Sequence, residues 1–315
     1  MSTRNFVPRA NGEGGLGTSA KYWGDLYVCR VNIKDTSNPA AAHNGIYRGK
    51  DLTSYAESGE MSAAIADGSF KDIYIGDCIT KTINLPAITY TDKAGASKTQ
   101  AAQTFANVKW LVAALDPHLH CGYYEGDTVN YGETKEHHVL LIPASTLQRN
   151  VCMNPKVSNA DTTAGGYIGS DMWRVHMPNW AAAIKSAFGA SHVLRHYSIM
   201  SNSVDVNAPS AAGVNWKGSA NNWAWTPVDV NIPNEAMVYG GSPASSSFED
   251  TGDFPRILPL YALKCNHLED RSWFWLRSVS SSAAFAIAYS YGNAGTTVAS
   301  AANADGGIRP YFLYH

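Results

Sequence analysis

Five residues with metal-ligating or nucleophilic side chains fall close together in the chain: His118, His120, Cys121, His137 and His138. Imidazole nitrogens and a thiolate are good zinc ligands, and a cysteine beside a histidine can act as nucleophile and base. The apolar runs 108–115 and 137–143 read as two strands of a hairpin, which would bring both ends of the cluster together. On a strand, His118 and His120 would share one face. The spacing matches no zinc signature. Two readings stay open: a metal site, or a histidine-rich polar cluster hydrogen-bonded beneath the hairpin. The second is the expectation, so neither a metal nor a cofactor is assigned.

Other chemistry-bearing patterns are weaker. Asp72 and Asp77 invite calcium, but no D-x-D-x-D-G loop surrounds them, and solvated turn carboxylates are expected. Gly12, Gly14 and Gly17 satisfy G-x-G-x-x-G formally, yet no buried strand precedes them, so a dinucleotide site is rejected. The chain has no G-x-S-x-G, H-E-x-x-H or G-K-[ST] sequence. Trp216, Trp223 and Trp225 can stack on sugar rings or pack a core, and packing is the expectation. No catalytic residue is assigned, and a non-enzyme is expected.

The elements that must position such groups follow from periodicity. A short helix is expected over 58–66 and a strand over 70–77. The best helix is 179–188, started by Pro178 and stopped by Gly189, with Trp180, Ile184 and Phe188 on its buried face. His192, Arg195 and His196 follow as a structural basic cluster. Near the C-terminus, 273–279 and 307–313 are dense in aromatic and branched residues and read as buried strands.

Between those two strands the composition changes abruptly. The 28 residues 280–307 are Ser, Ala, Gly, Thr, Asn, Tyr, Val, Ile, Phe and one Asp. They lack Lys, Arg, Glu, Gln, Met, Trp, Leu, Pro, Cys and His. Clamped between core strands, such a stretch reads as an adaptable polar surface on a rigid frame. Antibody loops follow the same logic, with Tyr for contact area and Ser, Gly and Asn for hydrogen bonds.

Trp275-Leu276-Arg277-Ser278, this insert, and Gly307-Ile308-Arg309-Pro310-Tyr311-Phe312 together resemble the variable region of target proteins of diversity-generating retroelements. The resemblance implies a C-type lectin fold and adenine-rich codons scrambled at the adenines. Scrambled AAC codons cannot give Lys, Glu, Gln, Met or Trp, and none occurs in 280–307. Arg, His, Leu, Pro and Cys, which that scheme allows, are absent too. A Ser/Ala-rich lectin loop that does not vary is the alternative. From Ile46 onward the chain is similar to the longer lectin-fold variable proteins of phages. The segment Phe-x-Pro-Arg…Gly-Glu-Gly…Leu-Gly-Thr-Ser…Trp over 6–23 is similar to virion-attachment segments of phage tail fibres.

These resemblances imply an α+β chain: a C-type lectin-like domain with insertions over 39–315, preceded by a short extended arm over 1–38, in which 27–33 alternates like a strand. They imply a virion tail adhesin for a host cell-surface receptor, protein or glycan. The arm would join other tail proteins, and homotrimers are common among such appendages. A carbohydrate-active tail enzyme is the runner-up. On an extended reading, Ala283, Ala284, Ile287, Tyr289, Tyr291, Asn293, Thr297, Val298, Ala301, Asn303 and Asp305 point outward as the ligand-binding set, with Phe285 and Gly292 as frame.

The balance of charge fits a polar binding surface. Of 315 residues only 16% are charged, the net charge is −2, and 45% are hydrophobic, enough for a sizeable core. No basic block exists, which argues against nucleic acid. No long apolar run exists, so no membrane insertion is expected. Five cysteines at irregular spacing and no apolar leader fit assembly in a reducing bacterial cytoplasm.

Overall fold

The computed structural model describes residues 38–123, 132–201, 223–245, 256–264 and 272–315. The expectations for the arm and its strand at 27–33, for Trp216 and for the Trp223 side chain lie outside those residues.

Three short helices come first: α1 (Pro39–Asn44), α2 (Thr53–Glu57) and α3 (Glu60–Ala66). Then follow β1 (Cys78–Leu85), the hairpin β2 (Ile88–Thr91) and β3 (Ser97–Gln100), and the long β4 (Gln103–Leu115). Next are β5 (Gly122–Tyr123), β6 (Gly132–Glu133) and β7 (Val139–Pro143). One π-helical turn, Met172–His176, leads directly into α4 (Met177–Phe188). Beyond it lie β8 (Val193–Leu194), β9 (His196–Ser201), β10 (Trp223–Val228), β11 (Val230–Asn231), α5 (Glu235–Tyr239) and α6 (Pro259–Leu263). The last strands are β12 (Trp273–Val279), β13 (Ala284–Ala288), β14 (Ala294–Val298), β15 (Gly306–Gly307) and β16 (Tyr311–Tyr314).

Two sheets organise these elements into an α+β structure. The larger runs β1-β4-β7-β16-β11, with β8 also paired to β16, and all its pairings are antiparallel. The last strand of the chain therefore lies inside the sheet, with Leu313 opposite Leu140 and Phe312 opposite Leu141. Trp180, Ile184 and Phe188 of α4 are buried, as the i, i+4, i+8 spacing requires. Phe188, Phe312 and Trp110 form an aromatic cluster with centroids 4.8–5.7 Å apart. Each such side chain contributes about 1.5–3 kcal/mol by leaving water. The smaller sheet runs β14-β13-β12-β15, and its β12–β15 pair is parallel.

Local order departs from expectation at three places, whereas the helix expected over 58–66 forms as α3. The strand expected over 70–77 is absent. Phe70 (φ 46°) and Asp72 (φ 57°) adopt turn geometry there, and only Ile75 makes a bridge, to Tyr47. Residues 73–77 are all buried, so the alternation of apolar and polar residues in sequence does not become alternating burial. The helix expected from 179 starts earlier, because the π turn carries it back to Met172. The strand expected over 307–313 is two strands, β15 and β16, in different sheets. Pro310, which has no N–H, lies between them.

Candidate functional site

The stretch 280–307 forms the β13–β14 hairpin and β15, three of the four strands of the smaller sheet. β12, between β13 and β15 in that sheet, is buried along its whole length. Trp275 is fully buried, and its Nε1–H donates to the Val151 carbonyl at 2.9 Å. β13 continues that burial, so Phe285 is frame as expected. Ile287, expected to point outward, is only 2% exposed. This is a correction: β13 lies between β12 and β14, and residues 285–288 are buried on both of its faces. Ile287 belongs to the core.

The shared outward face expected for positions 287, 289, 291 and 293 does not form either. The strand ends at Ala288, and a tight turn follows. The Tyr289 N–H donates to the Asn293 carbonyl and the Gly292 N–H to the Tyr289 carbonyl, both at 2.9 Å. Gly292 sits at φ 86°, the conformation anticipated for it. At the tip Tyr291 is 82% exposed, and Asn293 is exposed beside it. Tyr289 is 38% exposed, because its ring lies over Gly295, where a Cβ would overlap it. Val298, Asn303 and Asp305 are exposed, whereas Ala283, Ala284, Thr297 and Ala301 are half-buried and Ala301 packs on the core.

A clamp of backbone bonds holds this surface. Thr163 donates its N–H to the Ser282 carbonyl (3.0 Å) and its hydroxyl to the Ser281 carbonyl (2.7 Å). The Asn154 N–H donates to the Ala299 carbonyl (3.0 Å) and the Asn150 N–H to the Asn303 carbonyl (3.1 Å). Arg149 Nη1 reaches the Ala304 carbonyl at 2.9 Å. The acceptors within 280–307 are main-chain oxygens, present whatever side chains the stretch carries. Two side chains depart from the pattern. Asn303 accepts the Trp273 indole N–H at 3.2 Å, and the Ser300 hydroxyl bonds Asp161. Gly306 underlies Trp273 so closely that any Cβ would overlap the indole, and that contact closes the loop onto β12.

The histidines do not converge on one site. β4 and β7 pair as expected, but 117–120 is a turn rather than strand. His118 is therefore fully buried while His120 (φ 64°) faces outward, and the two share no face. His120 Nδ1 pairs with Glu133 at 2.5 Å, and His137 Nδ1 with Asp116 at 2.6 Å. The His118 backbone N–H donates to His138 Nε2 (3.1 Å), so that ring is neutral and its Nδ1–H donates to the Glu136 carbonyl (2.8 Å). Burial pushes His138 down to about 4 and His196 to about 3, and holds His118 well below the usual range. His137 and His138 are hydrogen-bonded beneath the hairpin, and the His118 ring packs against His196 (4.7 Å) and Tyr311 (6.2 Å). Among the described residues no group of three or more His, Cys, Asp or Glu side chains could hold a metal ion. His192 stacks on Tyr314 (5.1 Å) and Arg195 pairs with Asp229 (3.1 Å), both as structural contacts.

Asp72 lies in a turn with its side chain 36% exposed, whereas Asp77 is not the solvated turn carboxylate expected. Asp77 is fully buried and takes Arg48 through Nε (3.0 Å) and Nη2 (2.6 Å), and Asp72 takes Arg48 and Lys50. Their oxygens are engaged by cations of the chain itself.

A second concave feature, not anticipated from sequence, adjoins the surface at Ser300. It is an open cleft of about 440 Å³ lined by Tyr90, Asp92, Lys98, Cys152, Lys156, Asp171 and His176, among others. Burial, with Asp171 nearby, raises the Cys152 thiol to about 11, so at neutral pH it is protonated and a poor nucleophile. These residues come from four separate segments, and no periodicity links them. No helix among the described residues is long and apolar enough to cross a membrane. No protein-family description, curated protein or solved structure matches the chain.

Proposed function

We propose that the protein is a receptor-binding adhesin of a phage tail, with a C-type lectin-like fold that displays 280–307 as a surface diversified by a retroelement. The observation that carries this reading is the clamp. Residues 149–163 hold the stretch almost wholly through its main-chain carbonyls, so side chains at its exposed positions can change without loss of the frame. The compositional break at 280–307 and the resemblance of its flanks point the same way. Tyr291, standing free at the tip of a tight turn, is the rigid aromatic contact expected of a binding hot spot. The ligand is a host surface protein or glycan, residues 1–38 join the tail, and the assembly is a homotrimer.

Sequencing the 3′ end of the gene across its source population tests the reading. Substitutions clustered at adenine-derived positions within 280–307, and sparing Phe285, Ile287 and Trp275, are the expected result. An invariant stretch would reduce the protein to a fixed lectin. In parallel, saturable binding to host surface material without product is expected, and turnover of a polysaccharide would favour a depolymerase instead.

A further inference from the structure

The cleft beside Ser300 has the build of a second, fixed binding site. Its walls are pinned. At the tip of the β2–β3 hairpin the Lys93 N–H donates to Asp171 Oδ2 (2.9 Å), and Lys93 Nζ donates to the carbonyls of Gly169 (3.0 Å) and Ala164. The π turn sets Asp171 and His176, five residues apart, against the same cleft. Such π turns are frequent at functional sites.

The floor offers acceptors. The Asp92 side chain is 3% exposed, and its Oδ1 accepts the Ala96 N–H at 2.8 Å. Its Oδ2 has only the Lys98 ammonium, 3.9 Å away, too far for a hydrogen bond. The His176 Nδ1–H donates to Gln100 Oε1 (3.1 Å), which leaves Nε2 as the acceptor of the neutral ring, with no hydrogen bond to the described residues. Burial lowers its pKa to about 4, so the ring is neutral. The rim offers cations instead. Lys98 and Lys156 are 54% and 58% exposed, and their nearest carboxylates lie 3.9 and 4.0 Å away. Tyr90 supplies an aromatic wall.

We propose that this cleft binds an anionic saccharide unit, a uronate or a sugar phosphate. Its hydroxyls donate to Asp92 and His176 at the floor, its ring face lies along Tyr90, and its anionic group meets Lys98 and Lys156 at the rim. Alternatives fit less well. A bare anion would face the floor carboxylates, and a cationic ligand would face the rim lysines. The volume is that of an ordinary small-ligand site, about 300–1,000 Å³. This site does not rest on the adhesin reading, since free sugars can occupy the cleft whether or not 280–307 varies.

The test is titration of the full-length protein with glucuronate, glucose 6-phosphate, glucose and inorganic phosphate, followed by saturation-transfer NMR at low and high salt. Either anionic sugar should bind at least about tenfold more tightly than glucose or phosphate, an advantage that added salt reduces. The double variant K98A/K156A, altered at two exposed positions, should lose at least about tenfold for the anionic sugars. Arg195→Ala, which removes a positive charge outside the cleft, should leave binding unchanged. Equal binding of glucose, undiminished binding by K98A/K156A, an equal loss in Arg195→Ala, or no binding of either anionic sugar would overturn the proposal. Which of the two anionic sugars binds more tightly identifies the anion.

Discussion

The histidine-rich segment 116–138 and the stretch 280–307 reverse the roles their compositions suggest. The first carries residues able to ligate metals or move protons, yet His120, His137 and His138 are engaged within the protein. His137 and His120 are paired with carboxylates, and His138 is bonded at both nitrogens. The second carries almost no reactive chemistry, yet it keeps exposed side chains on a surface held by backbone bonds. Reactive residue types mark a site only when their partners leave them uncommitted. A bland composition marks one when the frame asks nothing of the side chains.

Breaking the frame beneath 280–307 should have the largest effect. Trp275→Ser removes a fully buried indole and its bond to Val151, and should cost about 3–5 kcal/mol by denaturant unfolding. A loss below about 1 kcal/mol would mean that β12 is not the support described here.

Acid should act next, through His138 of the other region and through His196, which packs against His118. Folded-state values near 4 for His138 and near 3 for His196 lie below the unfolded value of 6.5. Between those limits the unfolded chain binds more protons than the folded one. The stabilisation is therefore complete above about pH 6.5 and is lost as pH falls towards 4. Thermal melts across that window should show a steady fall in Tm. A flat profile would contradict the burial of these rings.

The exposed tyrosines should give the smallest effects on stability. Tyr291→Ser should change stability by only about 0.5 kcal/mol. Tyr289→Ser should cost more, because its ring covers Gly295. Both should weaken receptor binding at least about tenfold. If Tyr291→Ser melts like Trp275→Ser, the comparison between a free surface and its frame collapses.

Much of this contrast was legible in the sequence, but unevenly. The break in composition at 280, the buried strand at 273–279, the face of α4 and the β4–β7 hairpin all follow from local pattern. Such patterns report on burial wherever one element packs on one core. Ile287 was misread for a definite reason: alternation assigns one face to solvent, whereas β13 is covered on both. The strand expected at 70–77 failed because turns at Phe70 and Asp72 break the extended backbone, and residues 73–77 are buried without alternation.

By itself, the sequence determined which segments would be buried, where the composition changes, and that Phe285 and Gly292 would serve as frame. Only the tertiary structure decided that His118 turns inward while His120 turns out, and that Asp77 is held by Arg48. It alone joined Tyr90, Asp92, Cys152, Lys156, Asp171 and His176 into one cleft. The physical reason is separation along the chain. Burial periodicity is set by neighbours a few residues apart, whereas hydrogen-bond partners and cleft walls come from residues tens of positions away, brought together only when the sheets and α4 pack.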